Sequence, residues 1–268
     1  MQGEDKQMAP PEGMQGNTTD DETVDETSDD TPSTKGLKAE KDTVIASGTF
    51  NINTLDDALH SNKDIQIVNG TFILSSGETG YLAIHGGDIT IDASGDGIDS
   101  NSTIEMTGGT VIVNGPIDGG NGALDYDETF HISGGILIAA GSSAMAQSPS
   151  DDSSQPSIIY QFDQPTTESI SLTDDSGQFI LGFTPTKSYQ TIVVSSPLLE
   201  TDKTVTWHTT VDLDGEAVNG LITNGVITTS TELNFTLTDT LTYLTPSGVS
   251  STPLTESGFG RRPNRPAQ

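Results

Sequence analysis

A ten-residue unit of strand, glycine and strand recurs five times between residues 43 and 139: TVIASGTFNI from Thr43, IQIVNGTFIL from Ile65, LAIHGGDITI from Leu82, IEMTGGTVIV from Ile104 and FHISGGILIA from Phe130. The sixth position is always glycine (Gly48, Gly70, Gly87, Gly109, Gly135), preceded by Ser, Asn or Gly. Apolar residues alternate with small polar ones around it, the two-residue period of strands. Successive units start 22, 17, 22 and 26 residues apart, the length of one coil of a parallel β-helix with variable turns. A meander of hairpins is the competing arrangement, but it does not require one glycine in one register five times. The expected fold is therefore all-β, with parallel β-helix coils over residues 43–150. Stacked coils lie about 4.8 Å apart, which would align Ile67, Ile84, Met106 and Ile132 in one inward column and Phe72, Ile89, Val111 and Ile136 in a second. Glycine at the sixth position would make the bend between two short strands.

The connections between units carry the chemistry. Asp57 to Asn62 (DALHSN) and Asp96 to Asn101 (DGIDSN) lie 39 residues apart, the sum of two unit spacings, so they occupy the same place on their coils. Gly119 to Asp127 (GGNGALDYD) follows the fourth unit and places Leu124 six residues before the next one, as Leu59 and Ile98 are before theirs. Stacking would bring carboxylates of adjacent coils about 5 Å apart, where like charges repel and one must be protonated or neutralised. Ca²⁺ is a natural neutraliser, because it takes six to eight oxygens from Asp, Asn and backbone carbonyls in flexible geometry. Asp96, Asp99, Asn121, Asp125 and Asp127 form one candidate set, and Asp56, Asp57 and Asn62 a second. The alternative is that Asp and Asn simply suit turns. Asp212 to Glu216 (DLDGE) starts like a calcium loop but has Thr223 where the distal glutamate would stand, so it reads as an Asp-Gly turn. His60, His85 and His131 lack the spacing of a zinc pair.

The rest of the chain differs in kind. Residues 1–42 hold twelve acids and four lysines with no Ile and no aromatic, a composition that reads as a disordered acidic linker. Residues 156–246 lack the glycine unit and show strands such as SIIYQF, QFILGF and TVTWHTTV, expected to cap the last coil, since an open solenoid end exposes a sheet edge. The stretch 248–268, ending RRPNRPAQ, reads as a disordered tail. There is no cysteine, hence no disulfide, zinc-thiolate site or cysteine nucleophile. The start lacks the charged-then-apolar pattern of a secretory signal, and no apolar run is long enough to insert in a membrane. The absence of a cap before Thr43 suggests coils or another domain ahead of it.

Net charge is −29, of which residues 43–255 carry −23. Such a surface excludes electrostatic binding of nucleic acid or of anionic membrane. It also means that an acidic glycan would be repelled unless a divalent cation intervened.

Residues 95–147, with GGNGALDYD followed by AAGSSAMAQ, closely resemble the bacterial cell-surface carbohydrate-binding domain-containing family best known in clostridia. KGLKAEKDTVIASGTFNINTLDDALHSN (35–62) and FTPTKSYQTIVVSSP (183–197) are similar to it as well, so the resemblance spans roughly 35–250. It implies a right-handed parallel β-helix of pectate-lyase-like shape that binds cellulose and acidic plant polysaccharide such as polygalacturonate, without established catalysis. It also implies calcium ions and an extracellular or cell-surface location. This chain departs by its late start, its shortened second turn (Gly77 to Gly80) and its lack of an export signal.

The residue inventory weighs the enzyme alternatives. A uronate lyase would need an Arg or Lys base near calcium, and residues 43–150 contain only Lys63, beside Asp64 in a turn. A hydrolase would use a carboxylate pair, with Asp56-Asp57 or Asp96 and Asp99 as candidates, but the Arg-x-Lys and Gly-His-Gly elements of β-helical polygalacturonases are missing. Binding is the favoured reading, with an adhesive scaffold as the other alternative. Sugars stack on aromatic faces, so Tyr81 and Tyr126, both in turns, are the expected platforms, with Asp125 beside them. Trp207, in an alternating strand with His208, is expected in the capping core.

Overall fold

The computed structural model describes residues 82–100 and 103–254 in full and, between residues 37 and 67, the backbone of five short strands. Those five are β1 (Leu37–Ala39), β2 (Thr43–Ile45), β3 (Asn51–Thr54), β4 (Leu59–Ser61) and β5 (Ile65–Ile67). The glycine units continue with β6 (Leu82–Ile84), β7 (Asp88–Ala93), β8 (Ile98–Ser100), β9 (Ile104–Asn114), β10 (Leu124–Tyr126) and β11 (Phe130–Gly141). Beyond them lie β12 (Ser157–Thr166), β13 (Ile170–Asp174), β14 (Phe179–Phe183), β15 (Tyr189–Ser195) and β16 (Thr204–Gly215). The last four are β17 (Leu221–Ile222), β18 (Gly225–Thr236), β19 (Leu241–Thr245) and β20 (Gly248–Val249). Among the described residues the class is all-β, with parallel and antiparallel pairing and no helix.

The units pair with one another in parallel. Before the glycine, β2, β5, β6, β9 and β11 form one lane in which Ile67, Ile84, Met106 and Ile132 share a register. After the glycine, β7 and the second halves of β9 and β11 form another, with β3 beside β7. The connections supply a third set, β1 with β4 and β8 with β10. Parallel neighbours need a crossover and cannot be hairpins, so the meander alternative fails for these units. Side chains from all three sets meet in one apolar cluster: Ile84, Met106 and Ile132 from the first, Val111 and Leu137 from the second, Ile98 and Leu124 from the third.

The second expected column needs one correction. Ile89 pairs with Val111, but Val111 pairs with Leu137, while Ile136 faces Thr110 and is only half-buried. After the glycine bend the inward places are the eighth and tenth of each unit, and Ile136 stands at the seventh. Phe72 lies outside the described residues. The glycines do make the bend: Gly87, Gly109 and Gly135 have φ of 90°, 88° and 90°.

The final edge is sealed twice. The second half of β11 takes β15 as an antiparallel partner, and the sheet continues through β12, β19 and β20. The first half is covered by residues 150–155, of which 151–155 lie between the two expected regions, 43–150 and 156–246. There Ser150 N donates to Phe130 O at 2.8 Å and Gln155 N to Ile132 O at 3.1 Å, while Phe130 N and Ile132 N donate to Ser150 Oγ and Ser153 Oγ. An edge whose donors and acceptors are filled from its own chain offers nothing for edge-to-edge association.

A second sheet, in the order β17-β14-β13-β16-β18, is antiparallel throughout. It packs Leu172, Phe183, Val205 and Trp207 against the outer face of the first sheet, where Ile112, Ile138, Tyr160 and Val194 stand. The second halves of β9 and β11 are thus buried on both faces, which accounts for the continuous apolar runs Val111-Ile112-Val113 and Leu137-Ile138-Ala139, whereas β7 keeps Asp88 exposed and Thr90 and Asp92 half-buried. Lys187 clasps the two parts, its Nζ lying 2.6 Å from both Asp92 Oδ1 and Ala93 O.

Three further boundaries move. The acidic segment does not run unstructured to residue 42, because Leu37–Ala39 already pairs with Leu59–Ser61; residues 1–36 lie outside the described residues. The tail does not begin at residue 248, because Gly248–Val249 pairs with β19 and Leu254 packs on the core; residues 255–268 lie outside the described set. Asp214-Gly215 is not a turn but the end of β16, paired with Val226 and Gly225.

Candidate functional site

The acidic connections come together in part. Asp99 and Asp125 are direct neighbours across the β8–β10 pair, each partly exposed. Asp96 Oδ1 accepts the Gly122 N–H at 2.6 Å, and Gly97 N and Ile98 N donate to Gly122 O and Ala123 O. That network ties one connection to the next. Asn121 offers its backbone carbonyl to Ser142 Oγ, and Asp127 is exposed, its N–H bonded to Ser100 O. Among the described residues no three His, Cys, Asp or Glu side chains converge as a metal site. Asp56, Asp57, Asn62 and Tyr81 lie outside the described residues.

Tyr126 is held by packing. Its hydroxyl donates to Ser148 O at 2.6 Å, its ring meets Phe130 edge-on at 6.1 Å, and its backbone is clamped by Gln147. Burial pushes the phenol up to about 12, against a smaller lowering from Ser150. A ring fixed this way supports the connection and presents little open face to a sugar. His85 Nδ1 lies 2.8 Å from Thr107 Oγ1, and His131 Nδ1 3.3 Å from Asp152 Oδ1.

A concavity lies elsewhere, on the outer face of the antiparallel sheet, with a volume of about 760 Å³. Alternation along β13 and β16 sends Leu172, Val205 and Trp207 inward and Thr173, Thr206 and His208 outward. His208 sits at the base, Nε2 at 2.9 Å from Thr173 Oγ1 and Nδ1 at 2.9 Å from Ser230 Oγ. One wall is the turn after β13, wound around Asp174, whose Oδ1 accepts from Ser176 N, Ser176 Oγ and Gln178 N. Those bonds, the Ser176 hydroxyl first, hold the Asp174 carboxyl below its usual range. The other wall is the first half of β18, Gly225 to Ser230. There the β16–β18 register slips between Thr209 and Asp212, with Thr210 at φ 51°, unusual for a β-branched residue. A bulge bends its strand.

No local sequence signal marks this groove. Alternation around Trp207 was enough to put Thr206 and His208 on the opposite face, but Ser230 and Phe179 join them only through strand pairing.

Burial lowers the His208 pKa, with Glu232, 3.9 Å from Nδ1, opposing by a smaller amount. The fold therefore favours the neutral ring, while the unfolded chain takes up a proton near 6.5. That contribution to stability is present above about pH 6.5 and is lost as pH falls through the depressed folded value. Urea midpoints measured from pH 7.5 to 5 should decline less steeply for His208→Asn than for the unsubstituted chain. Parallel declines would remove His208 as the source.

Residues 12–80 match the model of a family described as carbohydrate-binding domain-containing protein. The match begins in the acidic segment and takes in the first two glycine units, whereas the last three lie beyond it. No curated protein and no solved structure matches the chain.

Proposed function

We propose that this chain is a non-catalytic, extracellular or cell-surface module that binds polysaccharide, with its glycine units wound as a right-handed parallel β-helix of pectate-lyase-like shape. The family match over residues 12–80 carries the carbohydrate reading. The parallel lanes, in-register apolar columns and stacked positive-φ glycines support the coil, and the hand is the one parallel crossovers adopt almost without exception. A solenoid offers a long, straight, repetitive face, which suits an extended glycan better than a small substrate. Cellulose and polygalacturonate are the ligands proposed.

Calcium belongs to this reading through Asp99 and Asp125, the one pair of expected ligands set side by side in the described residues. Two carboxylates supply only part of an oxygen shell of six to eight. A bound ion would draw the rest from backbone carbonyls, water or the glycan, and neutralising the pair is what would let an acidic chain approach.

The test is retention of the full chain on insoluble cellulose and on immobilised polygalacturonate, each with calcium and with EDTA. Retention on cellulose in both conditions, and on polygalacturonate with calcium only, is expected. No retention on either polymer in calcium would end the reading.

A further inference from the structure

The groove over the antiparallel sheet is built from a different chemistry than the acidic connections. Hydroxyls line it from three strands and a turn: Thr173, Ser176, Thr206, Thr228, Thr229 and Ser230. Each is both a donor and an acceptor. At one end stands the half-buried ring of Phe179, brought to the Thr173 face by the bulge between β13 and β14, with exposed Val226 and half-buried Ile227 nearby. Gly225 carries no side chain, and one built there would lie 3.0 Å from the Phe179 ring, so its absence keeps the ring clear. The lining includes Asp174, Asp175 and Glu232 but no lysine or arginine.

These features select a ligand class. An anionic ligand would meet three carboxylates and no cation at close quarters. A purely apolar ligand would cover the exposed hydroxyls of Thr228 and Thr229 without offering them partners. A pyranose chain without charge matches both parts of the lining: its C–H faces lie against an aromatic ring, and its hydroxyls exchange bonds with side chains that donate and accept. The volume, about 760 Å³, is that of a site for a few sugar units.

We propose that this groove, formed by Thr173, Phe179, Thr206, His208, Thr228 and Ser230, is a binding site for a short stretch of neutral glycan, separate from the acidic connections of the glycine units. The inference rests on the carbohydrate reading above and adds a place and a selectivity to it. Phe179 provides the stacking platform. His208, fixed by Thr173 and Ser230, holds the hydroxyl rows at a set spacing.

Isothermal titration of the full chain with cellohexaose and with hexagalacturonate tests it, using the unsubstituted chain, Phe179→Ala and Thr228→Trp. Thr228 is exposed, so its replacement fills the groove without entering the core and keeps the test sound should Phe179→Ala unfold. The expected result is cellohexaose binding that weakens at least tenfold in Thr228→Trp at an unchanged thermal midpoint, with hexagalacturonate unaffected by either substitution. Cellohexaose affinity equal to that of the unsubstituted chain in both variants would overturn the groove and leave the carbohydrate reading standing. Hexagalacturonate binding abolished by Thr228→Trp would overturn the neutral selectivity. Binding of neither oligosaccharide by the unsubstituted chain would overturn the inference, and retention on the polymers then decides the broader reading.

Discussion

Gly109→Ala should unfold at a much lower urea concentration than the unsubstituted chain, with a loss of about 3 kcal/mol, whereas Gly86→Ala should be neutral or slightly stabilised. The two glycines are 23 residues apart in sequence and stand in the adjacent bends of two neighbouring units. Gly109 has φ of 88°, and a Cβ there would stand 2.6 Å from Gly87 O and 2.7 Å from the carbonyl carbon of Gly86. Both are backbone atoms of the neighbouring unit and cannot swing aside. Gly87 O is also the acceptor for Thr110 N at 2.7 Å, so any shift that relieves the contact lengthens a lane hydrogen bond. The next bend, Gly135, rests on Gly109 O in the same way. At Gly86 nothing lies within 4 Å of a built Cβ and φ is ordinary. Replacement there mainly narrows the unfolded ensemble, worth about 0.4–1 kcal/mol in favour of folding. Equal urea midpoints for the two variants would show that the sixth-position glycines are not required by the stack.

That bend is the part of the fold most legible in the sequence, because a positive φ in a crowded column, as at Gly87, Gly109 and Gly135, admits one residue type and leaves it visible at one position of the unit. The first apolar column was legible for a related reason: a period of two, anchored on the glycine, fixes which face Ile84, Met106 and Ile132 take. Ile136 went wrong by one place, since FHISGGILIA is apolar at every position after its glycines and alternation has no contrast to read there. The cause is the second layer, which buries Ile138 and Ala140 from the other side. The sealing of the last edge by Ser150, Ser153 and Gln155 escaped detection because three polar residues in a Pro- and Ser-rich stretch carry no pattern. For the site, spacing was sufficient to bring Asp99 beside Asp125, since both lie at one place on their units. It was insufficient for the groove, whose members come from strands paired in an order that no local signal encodes.

Trp207→Ala should cost about 3–5 kcal/mol, the largest loss expected from any single truncation in the second layer. The indole is fully buried and stacks on Tyr160 with ring centroids 4.9 Å apart and planes within 1°. Tyr160 belongs to β12 in the first sheet and Trp207 to β16 in the second, so this pair joins the two layers at their centre. Truncation removes the stack and leaves a cavity among Leu172, Phe183 and Val205, held open by the sheets on either side. Trp207→Phe should be far milder. The indole N–H is buried without a hydrogen-bond partner among the described residues, so deleting it recovers part of the packing lost. Urea unfolding followed by far-ultraviolet circular dichroism measures both variants. In the unsubstituted chain the sole tryptophan reports the same transition by fluorescence. A loss below about 1 kcal/mol for Trp207→Ala would mean that the second layer is not held by this stack. Because His208 follows Trp207 on the opposite face of the same strand, a loosened layer would also displace the base of the groove. Cellohexaose binding should therefore weaken in Trp207→Ala and persist in Trp207→Phe, linking the packing of the inner face to the ligand chemistry of the outer one.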